Sequence, residues 1–308
     1  LPEADIFALR AKAAVGALHP GSALRLTALG GGGAGQVWRV KLRGQARSYV
    51  VKLLPESQAV RVLALQARHA ALLAAGVAVP APVAARADLG AFVMQDMAGL
   101  TLRDVWAAGA GSAALLTEAG RWLAQFHRSG CQLATFDPAP HLNWLRRALW
   151  QHRRGERIVP RPMRFRAALA ALEARAAAVA GAPCRRAVIH RDLHLGNLLV
   201  LRSGALCGLD FENTAEDFCL RDEAALLLDA EFHAPDPCPA DQRGGGSFSA
   251  ADRAALALGY ADTDTAPALR DFFFGFHVLK RWAYAGDPSA HSAFQARALA
   301  RAMALAEG

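Results

Sequence analysis

The apolar positions change period several times along the chain. Ile6, Leu9, Ala13 and Leu18 recur at helical spacing and predict a helix over 3–18. From Leu24 the period falls to two. Leu24, Leu26 and Ala28 alternate with their neighbours, and Val37, Arg39 and Lys41 alternate with Trp38, Val40 and Leu42. Both stretches predict strands. "RGQAR" reads as a turn and "SYVVKLL" as a third strand. Helical spacing returns from Ser57 to Ala75, with Gly76 as its C-cap. "VAVPAPVAAR" and "AFVMQDM" read as two more strands around a turn at Asp88–Gly90. After "AGLTLRDV" the pattern is mostly helical to Ala180. "VIHRDLHLGNLLVLRSGALCGLDFEN" interrupts it with short strands and a turn at Gly204, and helices resume from Asp222. Residues 234–250 read as a Pro/Gly-rich loop. No internal repeat is visible. A β-rich front and a helical back predict an α+β fold of two lobes, 1–95 and 96–308, joined near residues 94–99.

Composition narrows this picture little. A chain of 308 residues with 53% hydrophobic content can bury a sizeable core, in one large domain or two smaller ones. The net charge of +8 permits an anionic ligand, nucleic acid or a membrane surface, and equally describes a solvated basic face. No recognition motif or aromatic stacking pattern accompanies the arginines, so no nucleic-acid partner is expected. The five cysteines form no CxxC or Cys/His spacing, which suits a reduced, cytoplasmic setting. No apolar run reaches eighteen residues and "LPEADIF" is not a signal peptide, so no membrane partner is expected.

The candidate chemistry begins with glycines. Gly30, Gly32, Gly35 and Val37 match G-x-G-x-x-G-x-V. A dinucleotide fingerprint needs a helix after the glycines, whereas here an alternating strand follows. Strand, glycine loop and strand is the arrangement that covers ATP phosphates in protein-kinase-like folds. Without a Cβ, backbone N–H groups can approach phosphate closely. Lys52 sits in the apolar strand "VVKLL", seventeen residues after Gly35. A lysine there needs a partner for its ammonium, or snorkels from an edge. Asp192 and Asn197 share one loop and Asp210 begins the next. A carboxylate and an amide carbonyl suit a magnesium ion that also takes phosphate oxygens and water. A further carboxylate, kept off the metal, can orient a hydroxyl and take its proton. His190 and His194 read as supports of the loop.

"HRDLHLGNLLV", "GLDFEN", the glycine loop and "VVKLL" together resemble the aminoglycoside phosphotransferase and choline kinase group of small-molecule kinases. "FVMQDMAGLTLRDV" resembles the group's linker between lobes, "LAQFHRSG" its Leu-Ala-x-Leu-His helix, and "DFCLRDEAALL" the segment after the metal aspartate. The resemblance covers about residues 22–285. It implies a protein-kinase-like fold and ATP (or GTP) with Mg2+ as cofactors. It implies Asp192 as the catalytic base, Asn197 and Asp210 as metal ligands and Lys52 on the phosphates. Backbone groups at Gln95, Asp96 and Met97 would hold the adenine. The implied partner is a small-molecule hydroxyl acceptor, such as an antibiotic, an amino alcohol, a sugar or homoserine. A catalytically silent nucleotide-binding module is the alternative.

Three departures from the group stand out. A glutamate is expected on the helix after Lys52, but Glu56 comes early and Gln66, nearer the expected place, is uncharged, so the lysine's partner stays open. Arg191 stands where the group usually has glycine, and no Ala-Pro-Glu segment follows to suggest a protein substrate. Residues 146–166 carry eight arginines and one glutamate. Such a segment either faces solvent or, if it borders the acceptor, favours a neutral or anionic compound over a polycation.

Overall fold

The computed structural model describes residues 3–32, 35–110, 112–233, 250–261 and 265–307. The tip of the glycine hairpin at 33–34 and most of the expected loop over 234–250 lie outside them. The chain divides into two units, Leu1–Leu100 with Leu199–Glu212, and Thr101–Leu198 with Asn213–Gly308. The division falls at 100/101, five residues beyond the expected 95/96, and the short hairpin over 199–212 counts with the first unit.

The first unit starts with helix α1 (Glu3–Gly16) and strands β1 (Leu24–Gly32), β2 (Gly35–Leu42) and β3 (Ser48–Leu53). Helix α2 (Arg61–Ala74), β4 (Pro82–Arg86) and β5 (Ala91–Gln95) complete an antiparallel sheet in the order β1-β2-β3-β5-β4. Period-two alternation decides what each face does. Tyr49, Val51 and Leu53 of β3 pack with Val40, Leu42 and Val93 against Ala11, Ala14 and Val15 of α1. Val50 of β3 faces the other way, with Phe92 and Met94 and with Val62 and Leu65 of α2. Lys52 shares the parity of Val50 and so belongs to the α2 face. Gly76 ends α2 at φ +78°, with Gly76 N bonded to Leu73 O and Val77 N to Leu72 O. This double bond is a Schellman cap, which needs the left-handed residue that glycine supplies.

Strand β6 (Gly99–Thr101), the short helix α3 (Leu102–Val105) and helix α4 (Ala113–His127) carry the chain into the second unit. There follow β7 (Gln132–Thr135), α5 (Ala139–Arg153), α6 (Pro162–Val179) and β8 (Pro183–Ile189). The hairpin β9 (Leu198–Leu201) and β10 (Leu206–Gly208), turned at Gly204, forms a small sheet in the order β10-β9-β6. Gly208 N bonds to Ala78 O, which fastens the hairpin within the first unit. Then come β11 (Ala215–Phe218), α7 (Leu220–His233), α8 (Ala250–Tyr260), α9 (Pro267–Ala283) and α10 (Ala293–Glu307). Strands β11, β8 and β7 form a three-stranded antiparallel sheet in that order. Strand β7 is a short break in the mostly helical stretch that runs from Val105 to Ala180; its four residues are too few to show a period of their own.

Helix α9 is the spine of the second core, burying Phe272, Phe273, Phe276, Leu279 and Trp282 among Phe136, Phe165 and Leu172. Trp282 Nε1 donates to Pro160 O at 2.7 Å, so the indole enters the core with its N–H satisfied. Among the described residues no helix is long and apolar enough to cross a membrane.

Candidate active site

In the first unit the glycine segment is one arm of the β1–β2 hairpin. Gly30 pairs with Val37, Gly31 with Gln36 and Gly32 with Gly35, after a bulge between Ala28 and Gly30. Val37 in turn lies opposite Lys52 on β3. The lysine has two carboxylate partners: Nζ lies 2.8 Å from Asp210 Oδ1 and 2.7 Å from Glu212 Oε1. Burial by itself lowers the Lys52 pKa, but the charges and hydrogen bonds of Asp210 and Glu212 outweigh it and the pKa is raised. Among the described residues these two are the carboxylates in ion-pair reach of Lys52, which answers the open question about Glu56 and Gln66. Glu56 is exposed in a 3₁₀ turn ahead of α2.

Helix α2 contributes to this group in a different way. Arg68 Nη1 donates to Phe211 O at 2.6 Å, and the buried His69 ring packs edge-on against Phe92 and Phe211. His69 Nδ1 donates to Pro80 O at 2.9 Å, and burial lowers the ring's pKa. Two side chains of α2 thus fix the backbone between Asp210 and Glu212. Asp210 itself has φ +62°, a left-handed conformation that aspartate tolerates better than most residues.

Past β5, Asp96 is tied down by its side chain, which accepts from Ser48 Oγ at 2.7 Å and pairs with Arg39 at 2.7 Å. Gln95 N bonds to Ala81 O and Asp96 N to Ser48 O. The N–H of Met97 has no hydrogen bond among the described residues.

In the second unit the loop over 190–197 follows β8. Asp222, at 1% exposure on the first turn of α7, accepts from His190 N at 2.6 Å and from Arg191 N at 2.9 Å. His127 of α4 supports the same carboxylate through Nε2 at 3.1 Å, with Tyr260 Oη 3.0 Å from its Nδ1. Asp229 accepts from Leu195 N at 2.9 Å. His194 Nδ1 accepts from Gly196 N and from Arg103, each at 3.0 Å, which places its ring proton on Nε2. Asn197 Nδ2 donates to Asp192 O at 2.9 Å. That bond commits the amide nitrogen and leaves the carbonyl Oδ1 free to accept.

Against this network one group stands apart. The exposed Asp192 carboxylate makes no hydrogen bond or ion pair among the described residues. It borders a cavity of about 570 Å³ in the second unit, lined also by His194, Leu228, Phe232, Lys280 and Phe294. None of the arginines of 146–166 lines this cavity. Arg146 pairs with Glu173, Arg154 with Glu156 and Arg164 with Glu307, and Arg157 stacks on Tyr284.

Taken each within its own unit, the Asp210 carboxylate and the uncommitted Asn197 carbonyl are oxygen donors of the kind a hard cation takes. No group of three or more His, Cys, Asp or Glu among the described residues could hold a metal alone. Glu212 was missed as a partner of Lys52. The sequence shows only an acid two residues past Asp210, and the turn that aims it at the lysine depends on the Arg68–Phe211 contact.

A model of the phosphotransferase enzyme family matches residues 25–258. Among curated proteins, none matches this sequence. The choline kinase LicA of Streptococcus pneumoniae superposes with a TM-score of 0.63 at 17% identity, over 97% of this chain and 98% of that one. A choline/ethanolamine kinase family protein of Mesorhizobium loti gives 0.65 at 19%, over 98% and 94%. The macrolide 2'-phosphotransferase MphH of Brachybacterium faecium gives 0.57 at 18%, over 94% and 97%. Identities this low speak to the fold, which is α+β and protein-kinase-like. The matched segment spans most of the sequence, and the chain belongs to the phosphotransferase enzyme family.

Proposed function

We propose that the chain transfers the γ-phosphoryl group of ATP to a hydroxyl group of a small molecule. The observation that carries this reading is the unengaged Asp192 carboxylate, beside a ligand-sized cavity on a loop whose other polar groups are held. Asp192 orients the acceptor hydroxyl and takes its proton. The acceptor oxygen bonds to the γ-phosphorus as the bond to the β–γ bridging oxygen breaks, and ADP leaves. Lys52 neutralises phosphate charge, and the backbone of Gly30, Gly32 and Gly35, with Val37, covers the nucleotide. The N–H of Met97, with the backbone of Gln95 and Asp96, meets the adenine edge. Asn197 and Asp210 would each give an oxygen to Mg2+, which would supply charge neutralisation on the phosphates when bound.

One observation favours the second reading, a silent nucleotide-binding module: Lys52 is held by Asp210 and Glu212 rather than by a carboxylate on α2. Incubation with Mg2+ and ATP beside diverse hydroxyl compounds, followed by mass detection, separates the two. A small molecule that gains phosphate supports transfer. ATP that binds but is never consumed supports the silent module, and phosphate appearing only on the protein contradicts a small-molecule acceptor.

A further inference from the structure

The cavity beside Asp192 is of the size that takes small-molecule ligands. Its charges are uneven. Four cationic side chains line it, Arg103, Arg191, Lys280 and Arg281, against the carboxylates of Asp192 and Asp229. Asp229 is already engaged: besides Leu195 N–H, it has Arg103 Nη2 at 3.9 Å and His233 Nε2 at 3.6 Å. Arg103 is likewise spoken for, between Asp229 and His194. Arg191, Lys280 and Arg281 have no carboxylate within ion-pair distance among the described residues, and Arg281 lies over the Phe232 ring, 5.7 Å from its centroid. Lys280 is half-buried on α9, and burial, with Arg221 and Arg191 nearby, lowers its pKa.

Arg191 adds a second, independent sign. Its φ is +66°, in the left-handed region where a Cβ costs about 1–2 kcal/mol and glycine costs least. The backbone therefore gives no reason for an arginine there, while its side chain lines the cavity beside Asp192. The rest of the wall is apolar, with Leu228, Phe232 and Phe294.

We infer that the acceptor is an anion: a small hydroxyl compound whose carboxylate or phosphate group is received by Arg191, Lys280 and Arg281. Its apolar part lies along Leu228 and the parts of Phe232 and Phe294 that line the cavity. Calling this compound an acceptor rests on the phosphoryl-transfer reading above, but the charge preference of the cavity does not. A polycation or a quaternary amine would meet like charges there and be disfavoured.

Two matched probes test this: 4-(hydroxymethyl)benzoate and 4-(hydroxymethyl)benzyltrimethylammonium, titrated calorimetrically into protein saturated with Mg2+ and the non-hydrolysable analogue AMP-PNP. The carboxylate should bind about tenfold or more tightly than the ammonium. Arg191→Gly, which suits the backbone, and Lys280→Gln should each erode that preference with the melting transition retained. Equal affinity, preference for the ammonium, absent carboxylate binding, or a preference that survives both substitutions overturns the inference. The AMP-PNP titration is read separately. Absent nucleotide binding sinks the transfer reading alone, and ammonium preference with intact nucleotide binding sinks the charge reading alone.

Discussion

A single buried carboxylate, that of Asp222, holds two successive N–H groups of the loop that presents Asp192. An amide at this position would turn an NH2 group toward one of its three donors, and it would lose charge-assisted hydrogen bonds inside the protein. Asp222→Asn should therefore cost about 3 kcal/mol in urea unfolding, and a loss below about 1 kcal/mol would show that the loop does not depend on it. At this scale much was legible in the sequence. The spacing of Lys52, Asp192, Asn197 and Asp210 singled out the residues of interest. Glu212 was not read as the partner of Lys52, because its aim comes from Arg68 and His69, more than a hundred positions away. Sequence distance hides such a contact, whereas a periodic pattern cannot.

Helices α4 and α8 cross where Gly120 and Gly259 face each other's backbones. A Cβ on Gly259 would lie 1.9 Å from Thr117 O, and one on Gly120 would lie 2.2 Å from Leu256 O. Backbone cannot yield as a flexible side chain does. Gly259→Ala should force the helices apart at a cost of about 1–3 kcal/mol, measurable as a lower denaturation midpoint. An unchanged midpoint would mean that the two helices can part without loss of stability. The sheet of the first unit was readable because its strands are half-buried, so that alternation and burial coincide at Tyr49, Val51 and Leu53. Strand β7 was not, since its residues Gln132–Thr135 are mostly exposed and find strand geometry only by pairing with β8.

Across the whole molecule, buried histidines make stability sensitive to acid. His141 lies at 8% exposure among Phe273 and Phe276, and burial first, then Arg221, lowers its pKa from 6.5 to about 4. Above pH 6.5 the ring is neutral whether the chain is folded or not. As pH falls toward 4 the unfolded chain takes the proton first, so stability present above 6.5 is lost across that window. This residue alone is worth roughly 3 kcal/mol between pH 7 and pH 4. His69 and His277, also lowered by burial, act in the same direction. Chemical denaturation should show stability falling through that window and a shallower fall in His141→Phe. Equal slopes for the two proteins would remove His141 from the explanation.

The change of period was the sequence's sign of two lobes, and it carried no sign that 199–212 would count with the first unit. That hairpin follows the loop of Asp192 in sequence and counts with the first unit through its contacts, among them Gly208 N with Ala78 O and Lys52 with Asp210. In the sequence, the bearing of charge on the acceptor was an open question about the arginines of 146–166. None of the arginines of 146–166 lines the cavity beside Asp192, although Arg157 stacks on its wall residue Tyr284; the cations that line it include Arg191, Lys280 and Arg281.

In the proposed reaction the free carboxylate at position 192 takes the proton of the attacking hydroxyl. The most direct test of this step is single-turnover phosphate transfer by Asp192→Ala on an acceptor identified with the wild-type protein, with Mg2+–ATP affinity measured on the same sample. Nucleotide affinity near the wild-type value with transfer slowed about 10³-fold or more is the predicted result. Transfer at the wild-type rate would contradict it.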